Sequence, residues 1–300
     1  MTDSVQPGSV VVGVDGSPQS DSAIAWAVEY ARARNAPLLV VNGAGDDGSV
    51  MIPDRSEARE MLRAHAHDIT HRALGKVREM APDLNVAVAS PYEDPRQALL
   101  DFAVDAPMMV VGTRGRGPVK SLLMGSTSIA VAEHAKCPVT VVRAGDPKHR
   151  NEDGHVVVGV AVTESPSVIL DIAFDLASQL GRPLDVVHAC GAYDDTVDKH
   201  EGRENPLDVV EQHGRFLDHA LERYTDKYTS VQVDRLMPDR DAGEVLVECS
   251  ETAAHLVVGS HGRTGIGSVL GSVSRAVLER AHCPVTVART RPPVGEGQPS

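Results

Sequence analysis

Aromatic side chains are scarce in this 300-residue chain, which has one tryptophan, five tyrosines and three phenylalanines. Proteins that bind single-stranded nucleic acid stack bases on aromatic rings, so this scarcity argues against such a function. The core must then consist mainly of Val, Leu, Ile and Ala. Cationic side chains are also few, since 29 Lys and Arg stand against 42 Asp and Glu and the formal net charge is −13. This balance argues against non-specific binding to DNA, RNA or anionic membranes.

Long apolar runs and paired cysteines are missing as well. No apolar run reaches the length of a membrane span, and residues 1–9 lack the charged and apolar regions of a secretory signal. We therefore expect a soluble, cytoplasmic protein with no membrane insertion. The four cysteines form no Cys-x-x-Cys pair, and we expect them to be reduced, buried small residues, with a disulfide or metal role as the less favoured alternative. They are Cys137, Cys190, Cys249 and Cys283.

The familiar catalytic motifs are absent. The chain has no Gly-x4-Gly-Lys-Ser/Thr P-loop, no Gly-x-Ser-x-Gly nucleophile elbow and no His-Glu-x2-His zinc motif. His67 and His71 are spaced to face one metal ion from a helix, although surface histidines account for the same pattern. We expect no catalytic residues and no dedicated metal site. Any ATP hydrolysis should be slow and incidental.

One stretch, Met108 to Ser128, combines a short apolar run, a glycine-bearing loop and a helix start. Met108–Gly112 has the length of a buried strand, and Thr127–Ala135 is predicted to be a helix capped by Ser126. Glycines let a ligand approach the backbone, and the first turn of a helix offers N–H groups to an anion. The stretch therefore suits a phosphate, although a tight turn would give the same pattern.

Strands and helices alternate along the rest of the first half. The predicted strands are Val10–Val14, Leu38–Val41, Val86–Ala89, Met108–Gly112 and Pro138–Arg143, and the predicted helices are Asp21–Arg34, Arg55–Met80, Asp94–Val104 and Thr127–Ala135. Such alternation indicates parallel strands joined by helical crossovers. The acidic segment Gly43–Asp54 is predicted to be a lid or a loose loop.

The second half repeats the first. Gly13 and Gly159, Pro37 and Pro183, and Cys137 and Cys283 are each 146 residues apart. Because each copy is long enough for a core of its own, the repeat indicates a duplicated domain. We predict domains at 1–146 and 155–291, and a disordered tail at 292–300.

The repeated motifs resemble those of the universal stress protein family, in its tandem form of the mycobacterial and actinobacterial type. The resemblance rests on GVDGS at Gly13–Ser17, VVG at Val110–Gly112, the spacing Gly112-x2-Gly115-x9-Gly125-Ser126, and CPVTVVR at Cys137–Arg143. It implies an α/β fold of two tandem, open, five-stranded parallel-sheet domains with helices on both faces, which is an adenine nucleotide alpha hydrolase-like fold.

The resemblance also implies an ATP site in the first copy. Asp15 would lie beside the adenine and ribose, and the backbone of Gly43 would read the adenine edge. Gly112 and Gly115 would let the chain approach the ribose and phosphates. Phosphate oxygens would be held around the helix start, at Gly125, Ser126, Thr127 and Ser128. Helix capping by Asp15 and Ser17 is the alternative for the first position, and a simple loop is the alternative at Gly43.

Cations near this loop could complement the phosphates. Arg116, with Arg114 and Lys120, could neutralise phosphate charge, and solvated surface charge is an equal alternative. Mg²⁺ bound to the phosphates is compatible with the resemblance.

The second copy departs from the signature in two places. Ala161 replaces Asp15, and eight residues instead of nine separate Gly262 from Gly271. The remaining residues of the second predicted site are Gly259, Gly262, Gly271, Ser272 and Ser274. We expect this copy to bind ATP more weakly or in another pose.

The function expected from the resemblance is that of an ATP-binding regulatory stress-response protein, acting as a nucleotide-dependent switch or oligomer. Three alternatives remain open: a nucleotide-independent scaffold with vestigial sites, a cyclic-AMP-binding protein, and a slow ATPase. The resemblance further implies a homodimer. The signalling partner is not indicated.

Overall fold

The structure of the chain, a computed structural model, describes residues 5–45, 55–113, 124–143, 151, 153–162, 166–190, 206–260 and 270–289. It divides into two compact units, with the division between residues 146 and 147. We call the preceding part unit 1 and residues 147–288 unit 2. The predicted limits of the domains stay a prediction, and the predicted tail at 292–300 lies outside the described residues.

Unit 1 is a parallel five-stranded sheet in the order β3-β2-β1-β4-β5. Its elements are β1 (Val10–Gly13), α1 (Pro18–Ala33), β2 (Leu38–Val41), α2 (Arg55–Met80), β3 (Val86–Ala89), α3 (Pro95–Phe102), β4 (Met109–Gly112), α4 (Ser126–His134) and β5 (Val139–Val142). Every strand pair is parallel because a helix crosses over between successive strands.

Unit 2 repeats this architecture in the order β8-β7-β6-β9-β10, again with parallel pairs. Its elements are β6 (Val156–Gly159), α5 (Ser167–Leu180), β7 (Leu184–Val187), α6 (Pro206–Lys227), β8 (Val233–Leu236), α7 (Ala242–Cys249), β9 (His255–Gly259), α8 (Ser272–Arg280) and β10 (Val285–Ala288). The expected α/β fold with two open parallel sheets is confirmed.

Helices cover both faces of each sheet. In unit 1, α1 contacts α2, and α3 contacts α4. A Cβ added to Gly13 would lie 3.0 Å from the side chain of Leu99 on α3, whereas one added to Gly112 would lie 2.9 Å from backbone atoms of Gln19 on α1. The central strands are therefore buried on both sides, which explains their unbroken runs of valine.

The element bounds follow the predictions to within a few residues. The predicted bounds of β2, α2 and β3 are confirmed. α1 begins at Pro18, three residues before the predicted Asp21, because Ser17 caps it and proline suits the first helical position. Within the described residues, no helix combines the length and the apolar character needed to cross a bilayer.

Candidate functional site

The carboxyl ends of β1 and β4 form the topological switch point of unit 1. From β1 the chain moves outward to β2 on one side, and it later returns to β4 on the other side. Ligands of open α/β sheets bind outside the strand ends at such a point. The parallel register brings the residues that follow β1, β2 and β4 to one edge. Asp15, Gly43 and Gly112 therefore lie at the same edge.

Asp15 organises the turn that leads from β1 into α1. Its Oδ1 atom accepts hydrogen bonds from the backbone N–H of Ser17 at 3.0 Å and from the Ser17 hydroxyl at 2.6 Å. The Ser17 Oγ atom in turn accepts from the N–H of Ser20 and caps α1. Gly16 adopts φ +75°, which a residue with a Cβ rarely does. Ser17 is thus the cap of α1, and Asp15 holds it in place through these two hydrogen bonds. The Asp15 side chain is itself partly exposed.

Gly43 lies where the backbone that follows β2 meets the loop before α3. A Cβ at this position would lie 2.5 Å from Cα of Pro95. The neighbouring N–H groups of Ala44 and Gly45 donate to the carbonyls of Pro91 and Glu93, both at 2.8 Å. This close approach by itself requires glycine. Contact of the Gly43 backbone with adenine remains a proposal.

Asn42 is a buried polar residue that the sequence analysis did not single out. Its side-chain amide donates to the carbonyl of Val14 at 2.6 Å. The β1–β2 ladder ends just before this point, with the N–H of Val14 donating to Val41 at 2.9 Å. If the β1–β2 ladder continued, the N–H of Gly43 would donate to the carbonyl of Val14. The side-chain amide of Asn42 donates to that carbonyl instead. The sequence signal for this role is the position of Asn42, a polar residue directly after the apolar strand β2.

The start of α4 differs by one residue from the prediction. The helix begins at Ser126, and Gly125 is its N-cap, with no side-chain hydrogen bond at the cap among the described residues. Ser126 was expected to be the cap, and this was wrong because Gly125 already supplies the carbonyl that accepts from the N–H of Ile129 at 3.0 Å. The Gly125 N–H donates to the carbonyl of Thr113 at 2.7 Å, which holds the helix start against the end of β4.

The hydroxyl of Ser128 is committed to the fold. It donates to the carbonyl of Gly112 at 2.6 Å and is buried there. This corrects the expectation that the Ser128 hydroxyl holds a phosphate oxygen, because its only proton is already donated. Ser126 is exposed and Thr127 is partly exposed, so their hydroxyls are accessible at the helix start.

Part of each predicted phosphate loop lies outside the described residues. In unit 1 these residues are Arg114, Gly115, Arg116 and Lys120. In unit 2 Gly262 and most of the stretch between Gly262 and Gly271, where the predicted deletion falls, also lie outside them.

The anchoring of the loop is the same in both units. In unit 2 the N–H of Gly271 donates to the carbonyl of Ser260 at 3.1 Å, and Gly271 caps α8 without a side-chain hydrogen bond. The Ser274 hydroxyl donates to the carbonyl of Gly259, as Ser128 does to Gly112. Ser272 is exposed at the helix start. The shorter loop therefore leaves this end of the second predicted site unchanged.

The residues that follow the first two strands differ between the units. The register that pairs Gly13 with Val41 in unit 1 pairs Gly159 with Val187 in unit 2. His188 and Ala189 thus stand where unit 1 has Asn42 and Gly43. Ala161 likewise stands where unit 1 has Asp15.

The family model of the universal stress protein family matches the chain twice, over residues 8–143 and 154–289. A universal stress protein of Mycobacterium tuberculosis strain H37Rv is 34% identical over 297 residues, covering 93% of this chain and 96% of that protein. One from Mycolicibacterium smegmatis is 30% identical over 302 residues, covering 97% and 100%. The crystal structure of a universal stress protein from Archaeoglobus fulgidus superposes with a TM-score of 0.68 at 18% identity, covering 96% of this chain and all of that one.

The fold and the switch-point edge place the chain among the open, doubly wound α/β proteins. The chain belongs to the universal stress protein family, and it carries two copies of the family's domain.

Proposed function

We propose that unit 1 binds ATP at the edge formed by β1, β2, β4 and α4, and that the bound nucleotide acts as a regulatory switch in a stress response. The observation that carries this proposal is the start of α4, where no described side chain occupies the cap. The first N–H groups of a helix have no partner within the helix, and the helix dipole favours an anion beside them.

The phosphates would bind at the N–H groups of Ser126, Thr127 and Ser128, with the hydroxyls of Ser126 and Thr127 beside them. Adenine and ribose would lie along the ends of β1 and β2, near Asp15 and Gly43. Mg²⁺ would be bound by the phosphates. The chemistry of these residues is that of binding, and we propose at most slow, incidental hydrolysis.

Unit 2 is proposed to bind ATP more weakly than unit 1. Its α8 start keeps the anion-binding geometry, but Ala161 lacks the carboxylate of Asp15. Ala189 replaces Gly43, and His188 replaces Asn42. The stoichiometry expected near saturation of unit 1 is therefore one ATP per chain.

The Ser126→Asp substitution is expected to weaken ATP binding by about tenfold or more, because a carboxylate at the helix start repels the phosphates. The same carboxylate interacts favourably with the helix dipole, so thermal stability should be unchanged or slightly higher. Isothermal titration calorimetry with Mg²⁺–ATP measures the affinity, and circular dichroism measures the melting temperature. Competition with cyclic AMP tells which nucleotide is preferred.

Ser272→Asp is the matched control, since Ser272 occupies the equivalent exposed position in unit 2. It should leave the high-affinity ATP site intact. Equal loss of binding in both variants, or no saturable binding to the parent protein, would contradict the proposal.

A nucleotide-independent scaffold is the second candidate. The packing of Gly43 against Pro95 and the Ser128 hydroxyl bond to Gly112 favour it, because both residues have a structural reason to be there. Analysis of the nucleotide released on denaturing the purified protein separates the two candidates. Bound ATP would exclude the scaffold, and a chain without nucleotide that also fails to bind added ATP would support it.

We further propose a cytoplasmic homodimer, on the basis of family membership. Sedimentation velocity at micromolar concentration should give the mass of two chains. A strict monomer with and without ATP would contradict this.

A further inference from the structure

Unit 2 brings two histidines and a cysteine together at the carboxyl end of β7. His188 follows the strand directly, Cys190 comes two residues later, and His213 lies on α6. One potential ligand atom from each, the two ring nitrogens and the Cys190 Sγ, lies within 4.8 Å of the others. His188 is buried, and the other two residues are partly exposed. The sequence predicts a small buried residue at Cys190, whereas the structure shows it partly exposed.

The hydrogen bonds of His188 determine which of its nitrogens is available. Nδ1 lies 2.8 Å from the carbonyl of Val160, which can only accept, so Nδ1 carries the proton. In the neutral tautomer with this proton, Nε2 has the lone pair, and it lies 2.9 Å from Nδ1 of His213. A histidine that donates one ring N–H to a carbonyl and presents the other nitrogen is the usual arrangement of a metal ligand.

The backbone holds this segment firmly. The N–H groups of His188 and Cys190 donate to the carbonyls of Leu236 and Pro238, both at 2.9 Å. In a tetrahedral zinc site, Zn–N bonds of about 2.0 Å and Zn–S bonds of about 2.3 Å place the ligand atoms roughly 3.3 to 3.6 Å apart. Side-chain rotations of Cys190 and His213 that move their ligand atoms by roughly 1 Å would meet this geometry.

The chemistry of the three ligand atoms indicates the class of ion. Soft thiolate and imidazole ligands select zinc-like ions over Mg²⁺ and Ca²⁺.

We propose that unit 2 binds a Zn²⁺-class ion through Nε2 of His188, Sγ of Cys190 and Nδ1 of His213, with water or an exogenous ligand in the fourth position. Unit 1 has no equivalent, since Asn42 and Ala44 stand at the positions of His188 and Cys190. The site lies on the adenine side of the unit 2 edge. It is independent of the ATP proposal for unit 1.

Binding releases one proton from the thiol, which forms the S–metal bond as its S–H bond breaks. His213 keeps its proton overall, because that proton moves from Nδ1 to Nε2 through solvent. At pH values where both rings are neutral and the thiol is protonated, affinity should rise about tenfold per pH unit. Calorimetry in buffers of different ionisation enthalpy measures the proton released per ion.

The main test is a Co²⁺ titration of the metal-free, reduced full-length protein. A thiolate-to-cobalt charge-transfer absorption should grow and saturate at one ion per chain, and Zn²⁺ should displace it. His188→Asn should weaken binding by about tenfold or more, since it removes Nε2. This variant should fold, because Asn42 makes the same bond to Val14 in unit 1.

Cys190→Ser should abolish the charge-transfer absorption, whereas Cys249→Ser should retain it. His155→Ala is the second control, because His155, Asp185 and Asp234 form another cluster of potential ligands without a thiolate. Absorption that persists in Cys190→Ser, or its absence in the parent protein, would overturn the proposal. So would full affinity in a folded His188→Asn variant.

Discussion

Phe174→Ala is expected to lower the free energy of unfolding of unit 2 by about 3 to 5 kcal/mol, the range for removing a buried phenylalanine. Phe174 lies on α5 and is 0% exposed. Its ring stacks on Tyr224 of α6 and on Tyr228, which directly follows α6, with centroids 4.7 and 5.3 Å away. With so few aromatic residues in the chain, this cluster is a large part of what joins α5 to α6. Urea denaturation followed by circular dichroism measures the loss.

Phe216→Ala is the matched control, because Phe216 lies on α6 but is partly exposed. It should cost clearly less, since less apolar surface returns to water on unfolding. Hydrogen exchange locates the effect: protection should fall first in α5, α6 and β6. Equal losses in the two variants would contradict the role assigned to the cluster.

His255→Met is expected to remove a large part of the acid sensitivity of unit 2. His255 is 1% exposed, and its Nε2 atom lies 2.7 Å from the hydroxyl of Thr286. Burial lowers the pKa of His255 from 6.5 to about 3, because the charged ring would lose its hydration. The folded chain therefore keeps this ring neutral at pH values where the unfolded chain protonates it.

The sign of the effect follows from linkage. Stability from neutral burial is fully present above the unfolded pKa of 6.5 and is lost as the pH falls towards the folded pKa of about 3. At pH 5 the loss amounts to about 2 kcal/mol. Urea denaturation of the parent and the variant from pH 4.5 to 7.5 should give curves that diverge below pH 6.5.

Unit 1 provides the reason for choosing methionine. Met108 occupies the position equivalent to His255, and the hydroxyl of Thr140 lies 3.2 Å from its sulfur. The variant therefore transfers the arrangement of unit 1 to unit 2. His219→Ala is the control for removing a histidine, since the His219 side chain is 88% exposed. Parallel curves for the parent and His255→Met would refute the prediction.

The two copies have kept one half of the predicted site and changed the other. The helix starts at Gly125 and Gly271 are anchored by the same hydrogen bonds in both units. The ends of β1 and β6 differ, because Asp15 is replaced by Ala161. His188 is the unit 2 counterpart of Asn42. Each side chain donates to the carbonyl that follows the first strand of its unit, that of Val160 or Val14. A histidine that makes this bond with Nδ1 still has Nε2 to bind a ligand, whereas the asparagine side chain has no second nitrogen.

Local patterns predicted the elements well because they depend on neighbouring residues. The runs of valine and leucine and the 146-residue repeat were sufficient for the parallel strands, the helices and the duplication. The start of α4 was predicted one residue late, since serine and glycine both suit a cap. The bond from the N–H of Ile129 to the carbonyl of Gly125 shows that glycine is the cap.

The sequence by itself determined the fold class, the duplication and the glycine-bearing loop, because apolar periodicity and motif spacing lie within short segments. The tertiary structure decided what Gly43, Ser128 and His188 contact, since their partners lie on other elements. It was also needed to bring Cys190 and His213 to His188. Their meeting depends on how α6 packs on the sheet, and no spacing along the chain encodes it.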